Sequence, residues 1–258
     1  MVVIAKHQAQ LDQLGLATPA QVKNFKGERV KDHRGRRDIF KIATRDSSGK
    51  PLVLFLKRNW KPYKKDGLAS LFTRGKVWSQ SRREWENSLK LDSAGLRTCG
   101  LVAYGEECGL LWEKFSFLIT ESAAGETLDR FLRNCGDRKL RRAVFGALAL
   151  EIRKMHEAGL AAPDLFTRHI FVEVKSGVPS FQFIDMARLN RRKKISDAMR
   201  ARDLAALNVT APLKFVSAKE RIRFLKTYAG CVDRKLAGRI AARVQHLLKR
   251  RKFRTFDS

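Results

Sequence analysis

Pro163-Asp164-Leu165-Phe166-Thr167-Arg168-His169-Ile170-Phe171-Val172, followed by Phe183-Ile184-Asp185-Met186, is the stretch on which the reading of this 258-residue chain turns. An Asp-Leu step is followed by a histidine five positions after the aspartate. The β-branched and aromatic residues behind it predict a short strand near 170–174, and a second is expected near 181–184. A second aspartate, Asp185, closes that second strand.

Upstream, Leu140, Val144, Leu148, Ile152 and Met155 mark one face of a long amphipathic helix that stops at Gly159. The texture becomes helical after Glu121-Ser122-Ala123-Ala124-Gly125. Before that point the chain reads as β. Asp38-Ile39-Phe40-Lys41-Ile42-Ala43 and Leu52-Val53-Leu54-Phe55-Leu56 flank the turn residues 45–51, which is a hairpin signal. An earlier strand is expected around 22–30, and residues 1–20, rich in Gln and Ala, read as loosely ordered. Residues 60–76 read as a basic loop or short irregular helix. A helix over about 79–94 is predicted to place Trp78, Arg82, Trp85 and Leu89 on one face, with Gly95 ending it. Short strands are expected at 101–104, 110–113 and 117–120. Downstream, Ser217-Ala218-Lys219-Glu220 opens a helix with a capping box, Gly230 follows its last turn, and a final helix covers about 232–249. The pattern describes an α+β protein of two lobes: an N-terminal extension (1–21), a small antiparallel β lobe with one main helix (22–121), and a larger helical lobe (122–258). The cleft of such a pair is a natural nucleotide site.

The charge is far from ordinary: 54 Lys+Arg against 26 Asp+Glu, a net charge of +28. Such a field favours polyanions, whether nucleic acid, anionic lipid or phosphorylated glycolipid. Four cysteines show no zinc-type spacing and read as reduced thiols of a cytoplasmic protein. The opening apolar run is too short for a signal peptide, and no stretch approaches the ~18 apolar residues of a membrane span. Any membrane contact is expected to be peripheral.

The polar residues fit phosphoryl transfer, which needs phosphates held, magnesium held and an acceptor oxygen positioned in line. In protein kinases the parts come in a similar order. Lys57 closes the 52–56 strand, where a lysine reaches nucleotide phosphates. Glu84, on the next helix, is placed to pair with it; Glu86 is the rival and projects to another side. Asp164 suits the group that accepts or orients a hydroxyl proton. His169 occupies the position of a metal-binding residue, and Asp185 offers the oxygen that magnesium prefers. Asp203, on a later helix, is a carboxylate suited to bracing the loop. Each residue alone has an ordinary structural reading: a surface lysine, an ion-paired glutamate, a core histidine, a strand-end aspartate.

On Phe55-Leu56-Lys57-Arg58, Arg83-Glu84-Trp85, the 117–121 strand, Asp164 with His169-Ile170-Phe171-Val172, Phe183-Ile184-Asp185, the 202–207 helix and 223–228, the chain resembles the Kdo/WaaP family of lipopolysaccharide core kinases. The resemblance covers about 22–230. It implies a protein-kinase-like fold and ATP with Mg²⁺ as cofactors. It implies Asp164 as catalytic aspartate, Lys57 with Glu84 at the phosphates, Asp185 and His169 at the metal, and Glu121 at the adenine-binding hinge through its backbone. The acceptor it implies is a heptose or Kdo sugar of an anionic glycolipid, reached as a monomer at the cytoplasmic face of the inner membrane.

Two pairs depart from the kinase pattern: Ala162-Pro163 before the catalytic aspartate and Met186-Ala187 after the metal aspartate. The 31–37 loop also holds a single glycine, Gly35. These departures keep open a nucleotide-binding protein of the same fold without turnover. Charge alone motivates a nucleic-acid binder, for which no readout motif is present. Arg188, Arg191, Arg192, Lys193 and Lys194, together with Lys61, Lys64, Lys65, Arg74 and Lys76 and the tail basics Lys249, Arg250, Arg251, Lys252 and Arg254, form clusters suited to an anionic acceptor and membrane surface.

Overall fold

The computed structural model describes residues 1–60, 75 and 77–249, and these fall into two compact units: the described residues up to 89 with 99–122, and residues 90–98 with 123–249. The basic residues Lys61, Lys64, Lys65, Arg74, Lys76, Arg250, Arg251, Lys252 and Arg254, and all but residues 60 and 75 of the loop expected over 60–76, lie outside the described residues.

Unit 1 is built on an antiparallel sheet with the strand order β1-β5-β6-β4-β3-β2, where β1 is Val2–Val3, β2 Glu28–Asp32, β3 Arg37–Arg45, β4 Pro51–Asn59, β5 Leu101–Cys108 and β6 Glu113–Glu121. Side-chain alternation decides its faces. Asp38, Phe40 and Ile42 point inward from β3, and the register sets them opposite Arg58, Leu56 and Leu54 of β4. The inward position 38 therefore needs a partner for its carboxylate. Arg58 supplies it with two bonds of 2.8 Å, the bidentate geometry that a guanidinium favours. Lys57, one residue earlier, is turned to the opposite face.

The N-terminal residues are ordered, contrary to the expectation of a loose extension and of a strand from residue 22. β1 pairs with β5, and short helices occupy Gln8–Gln13 (α1) and Pro19–Asn24 (α2). Thr18 caps α2 in a reciprocal box with Gln21, with Pro19 at the first helical position. Leu11, Leu16 and Val22 are fully buried against the sheet, each such burial contributing about 1.5–3 kcal/mol. Arg58 Nη1 also donates to the carbonyls of Val22, Lys23 and Phe25, which fastens the end of α2.

Residues 110–112 were expected in a strand and instead form the tip of the β5–β6 hairpin, where Leu110 is 94% exposed. β5 runs on to Cys108, and the Gly109 N–H bonds the Trp112 carbonyl. The helix α3 (Gln80–Ser93) packs Trp85 on Tyr104 and Leu118, but Leu89, expected on the same face, is exposed.

Unit 2 is mainly helical: α4 (Leu128–Asn134), α5 (Arg138–Glu157), α6 (Asp197–Thr210), α7 (Ala218–Ala229) and α8 (Arg234–Leu248). The α5 face named from spacing is buried at Val144, Leu148, Ile152 and Met155. The Ser217–Glu220 capping box forms, and Gly230 ends α7 in the left-handed conformation. Small sheets complete the unit: β7 (Glu126–Thr127), β9 (Ile170–Lys175) and β10 (Val178–Phe183) form one, and β8 (Leu160–Ala161) with β11 (Asn190–Arg191) the other. Gly159 joins α5 to β8 at φ +74°, where a Cβ would lie 2.2 Å from the Arg192 carbonyl oxygen. No other residue allows that turn and that approach together. Among the described residues, no helix is long and apolar enough to cross a membrane.

Candidate active site

Each unit holds its own group of the residues singled out from the sequence. In unit 1, Lys57 leaves β4 on the face away from Arg58 and meets Glu84 of α3, with Nζ 2.5 Å from Oε1. The side chains are 13% and 7% exposed. An ion pair so withdrawn from water is held in one geometry and is costly to break from one side. Glu84 rather than Glu86 is the partner, as its helical position predicted.

Glu121, at the end of β6, donates its backbone N–H to the Gly100 carbonyl at 2.8 Å. Its carboxylate lies 3.2 Å from both Lys6 Nζ and His7 Nε2, partners on the N-terminal segment that sequence spacing did not suggest.

In unit 2 the second group lies in the loop between β8 and β9 and at the end of β10. Asp164 starts a turn in which the His169 ring folds back, so that Nδ1 lies 2.9 Å from the Asp164 carbonyl oxygen. A carbonyl only accepts, so Nδ1 carries the proton and the lone pair of the neutral ring lies at Nε2. Nε2 accepts from Arg168 Nε at 3.2 Å and stands 3.8 Å from Asp185 Oδ2. Burial lowers the His169 pKa, outweighing the opposing pull of Asp185. The contact with Asp185 is therefore not an ion pair at neutral pH; it sets two electron-pair donors side by side, and a cation suits the place. Asp185 itself has φ +57°, a left-handed conformation rare for a residue with a Cβ and costing on the order of 1–3 kcal/mol.

The donor set fits magnesium as far as it goes. Among the described residues, no cluster of three His, Cys, Asp or Glu forms a complete cage. Magnesium characteristically takes one or two carboxylates from protein and completes its shell with water and substrate phosphates.

The loop is braced from α6. Asp203, with no solvent exposure, accepts the Ala162 N–H at 2.6 Å and bonds Arg202 Nε at 2.8 Å. His156 Nε2 lies 3.3 Å from the same carboxylate, while its Nδ1 lies 2.7 Å from the Tyr228 hydroxyl. Burial pushes the Tyr228 pKa up to about 12, so the phenol stays protonated. About two helical turns after Asp203, Thr210 accepts the Thr167 N–H at 3.1 Å, and the Thr167 hydroxyl donates to the Thr210 carbonyl at 2.8 Å. These two anchors on one helix bracket Asp164. Asp203 was visible as a brace in the sequence; His156, Tyr228 and Thr210 were not, since their partners lie tens of residues away. Of the unusual pairs, Ala162, Met186 and Ala187 are buried and take part in packing, while Pro163 is half-buried.

The Asp164 carboxylate is met by Arg188, whose Nη1 donates to Oδ1 at 3.0 Å and Oδ2 at 3.2 Å. The following basic residues, Arg191, Arg192, Lys193 and Lys194, are exposed. Elsewhere in unit 2, a cavity of about 320 Å³ is lined mainly by apolar side chains, among them Leu132, Phe145, Leu204, Phe224 and Ile240.

Comparison with known proteins bears on both units. A family model described as the lipopolysaccharide kinase (Kdo/WaaP) family matches residues 20–228. A lipopolysaccharide core heptose(I) kinase WaaP of Pseudomonas aeruginosa is 31% identical over 157 residues, or 57% of this chain and 59% of that protein. The protein of the same description from Escherichia coli K12 is 26% identical over 227 residues, covering 84% of this chain and 83% of its own length. A solved structure described as WaaP in complex with acyl carrier protein matches across 100% of both chains, with a TM-score of 0.68 and 24% identity. That likeness establishes the α+β, kinase-like fold.

Proposed function

Because the chain belongs to the lipopolysaccharide kinase (Kdo/WaaP) family, we propose that it transfers the γ-phosphate of ATP to a hydroxyl of an inner-core sugar of lipopolysaccharide, a heptose. The observation that carries this reading is the braced loop of unit 2, held at Ala162 and Thr167, which carries Asp164 and His169 and sets His169 3.8 Å from Asp185 at the end of β10. The curated relatives, described as heptose(I) kinases, favour heptose over Kdo as acceptor.

In this reading Asp164 orients the acceptor hydroxyl and takes up its proton. Lys57, kept straight by Glu84, holds nucleotide phosphates, and backbone at Glu121 meets the adenine. Asp185 and the Nε2 lone pair of His169 would hold Mg²⁺, which when bound neutralises phosphate charge. A protein that only binds nucleotide is the weaker reading, because Ala162 and Met186 are accounted for by packing while the chemical residues keep paired geometries. The exposed run Arg191–Lys194 suits an acidic glycolipid acceptor and a peripheral position on the inner membrane's cytoplasmic face, each basic residue near an anionic surface contributing about 1 kcal/mol.

An acyl carrier protein is a candidate partner. The structural neighbour is described in complex with one, and the apolar cavity of unit 2 offers room for an acyl group. Thermal stabilisation by the acylated carrier protein, and not by the carrier without its acyl group, is the expected result.

Expression in a strain lacking its own core heptose kinase tests the function. Mass spectra of the core should gain phosphate on heptose with the wild-type chain and not with Asp164→Ala. An unchanged core with both would overturn the reading.

A further inference from the structure

We propose that Arg188 is a substrate-contacting residue, which presents positive charge to the phosphoryl group in flight while one of its N–H groups holds Asp164. The inference rests on the phosphotransferase reading above. Nη1 spans both Asp164 oxygens, at 3.0 and 3.2 Å. The arginine side chain is 65% exposed and that of Asp164 21%. Nε and Nη2 make no hydrogen bond among the described residues.

As a source of stability such a pair is nearly worthless, since exposed ion pairs contribute about 0–1 kcal/mol. Yet the backbone is built to hold it. The Leu189 N–H donates to the Met186 carbonyl at 3.0 Å and closes a turn. Met186, Ala187 and Leu189 are buried, and Arg188 alone projects. Asn190 Nδ2 donates to the Arg188 carbonyl at 3.0 Å. Asn190 and Arg191 then pair with Ala161 and Leu160, immediately upstream of the catalytic loop. The fold thus fixes an arginine at the reacting carboxylate and leaves two of its nitrogens open.

A planar guanidinium matches paired phosphate oxygens. In the transfer, the acceptor oxygen bonds to the γ-phosphorus as the bond from that phosphorus to the β–γ bridging oxygen breaks. The hydroxyl proton passes to Asp164, and ADP leaves with the electron pair of the broken bond. Charge then lies on the equatorial oxygens of the moving group, where a preorganised cation acts most strongly on rate. Asp164 keeps free lone pairs for the proton, because a carboxylate has about four acceptor sites.

Calorimetric titration of the full chain with Mg·ADP, with and without aluminium fluoride as a planar mimic of the group in flight, tests this without turnover. Mg·ADP alone should bind wild type, Arg188→Lys and Arg188→Ala alike. Aluminium fluoride should tighten binding to wild type, and Arg188→Ala should lose about tenfold or more of that gain, with Arg188→Lys between them. A full gain in Arg188→Ala overturns the role of Arg188 and leaves the phosphotransferase reading intact. No Mg·ADP binding by wild type overturns both.

Discussion

Asp203 and Ala162, 41 residues apart, are joined by a fully buried hydrogen bond of 2.6 Å from the loop N–H to the carboxylate. This bond ties the loop carrying Asp164 to α6, and it explains how a loop that lacks bulky polar residues before its aspartate stays in place. Asp203→Ala would strand the Ala162 N–H, His156 and Arg202 together. A loss of about 3–5 kcal/mol is expected in urea denaturation. Asp203→Asn, which retains one acceptor oxygen, should lose less.

Lys57 and Glu84 separate stability from chemistry. Either Lys57→Met or Glu84→Gln leaves one buried group without its partner, at a cost of about 3–5 kcal/mol for a retained charge. The double variant removes both charges and should recover most of that loss. Phosphate transfer should not recover with it. Restoration of both stability and transfer in the double variant would rule out Lys57 as a phosphate contact.

His169 is read as a metal ligand through Nε2. His169→Ala should raise the magnesium concentration for half-maximal transfer at least about tenfold. His169→Asn, which offers an oxygen suited to a hard cation, should stay near the wild type. Equal magnesium dependence in all three proteins would place His169 among purely structural histidines.

Glu113 gives unit 1 a pH signature. It accepts the Gln80 N–H at 2.9 Å, and burial raises its pKa above the usual 4.5 against the opposing bond from Ser116. A raised carboxyl pKa means that the folded state binds more protons. Its contribution is therefore full below 4.5 and is lost as pH rises through the folded value. Glu113→Gln keeps an acceptor without the charge. The stability difference between wild type and Glu113→Gln should move against the wild type as pH rises from 4.5 to 7, as measured by denaturation at each pH.

Much of this was legible in the residues. The 37–59 hairpin follows from alternation, which also separates Arg58 from Lys57 by face. Asp164, His169 and Asp185 follow from spacing around short strands. Thr18-Pro19-Gln21 is a helix-start signal set in a segment whose Gln- and Ala-rich composition reads as loose. Leu110-Leu111-Trp112 reads as strand by propensity, but the hairpin had to turn there, and three apolar side chains at a tip are tolerated. The partnerships of His156 with Tyr228 and of Thr167 with Thr210 span 72 and 43 residues, and no local pattern encodes them. In the sequence Arg188 is one of a run of basic residues, and only the turn at 186–189 singles it out.

On the proposed function, Asp164 serves phosphate transfer from ATP to an inner-core heptose. The most direct test of that role is the rate of labelled phosphate transfer from ATP to purified, heptose-bearing core acceptor by wild type and Asp164→Asn. Wild type should phosphorylate heptose in a magnesium-dependent reaction, and the variant should be slower by about 10²–10⁴-fold. No transfer by wild type, or equal rates for the two proteins, would overturn that role of Asp164.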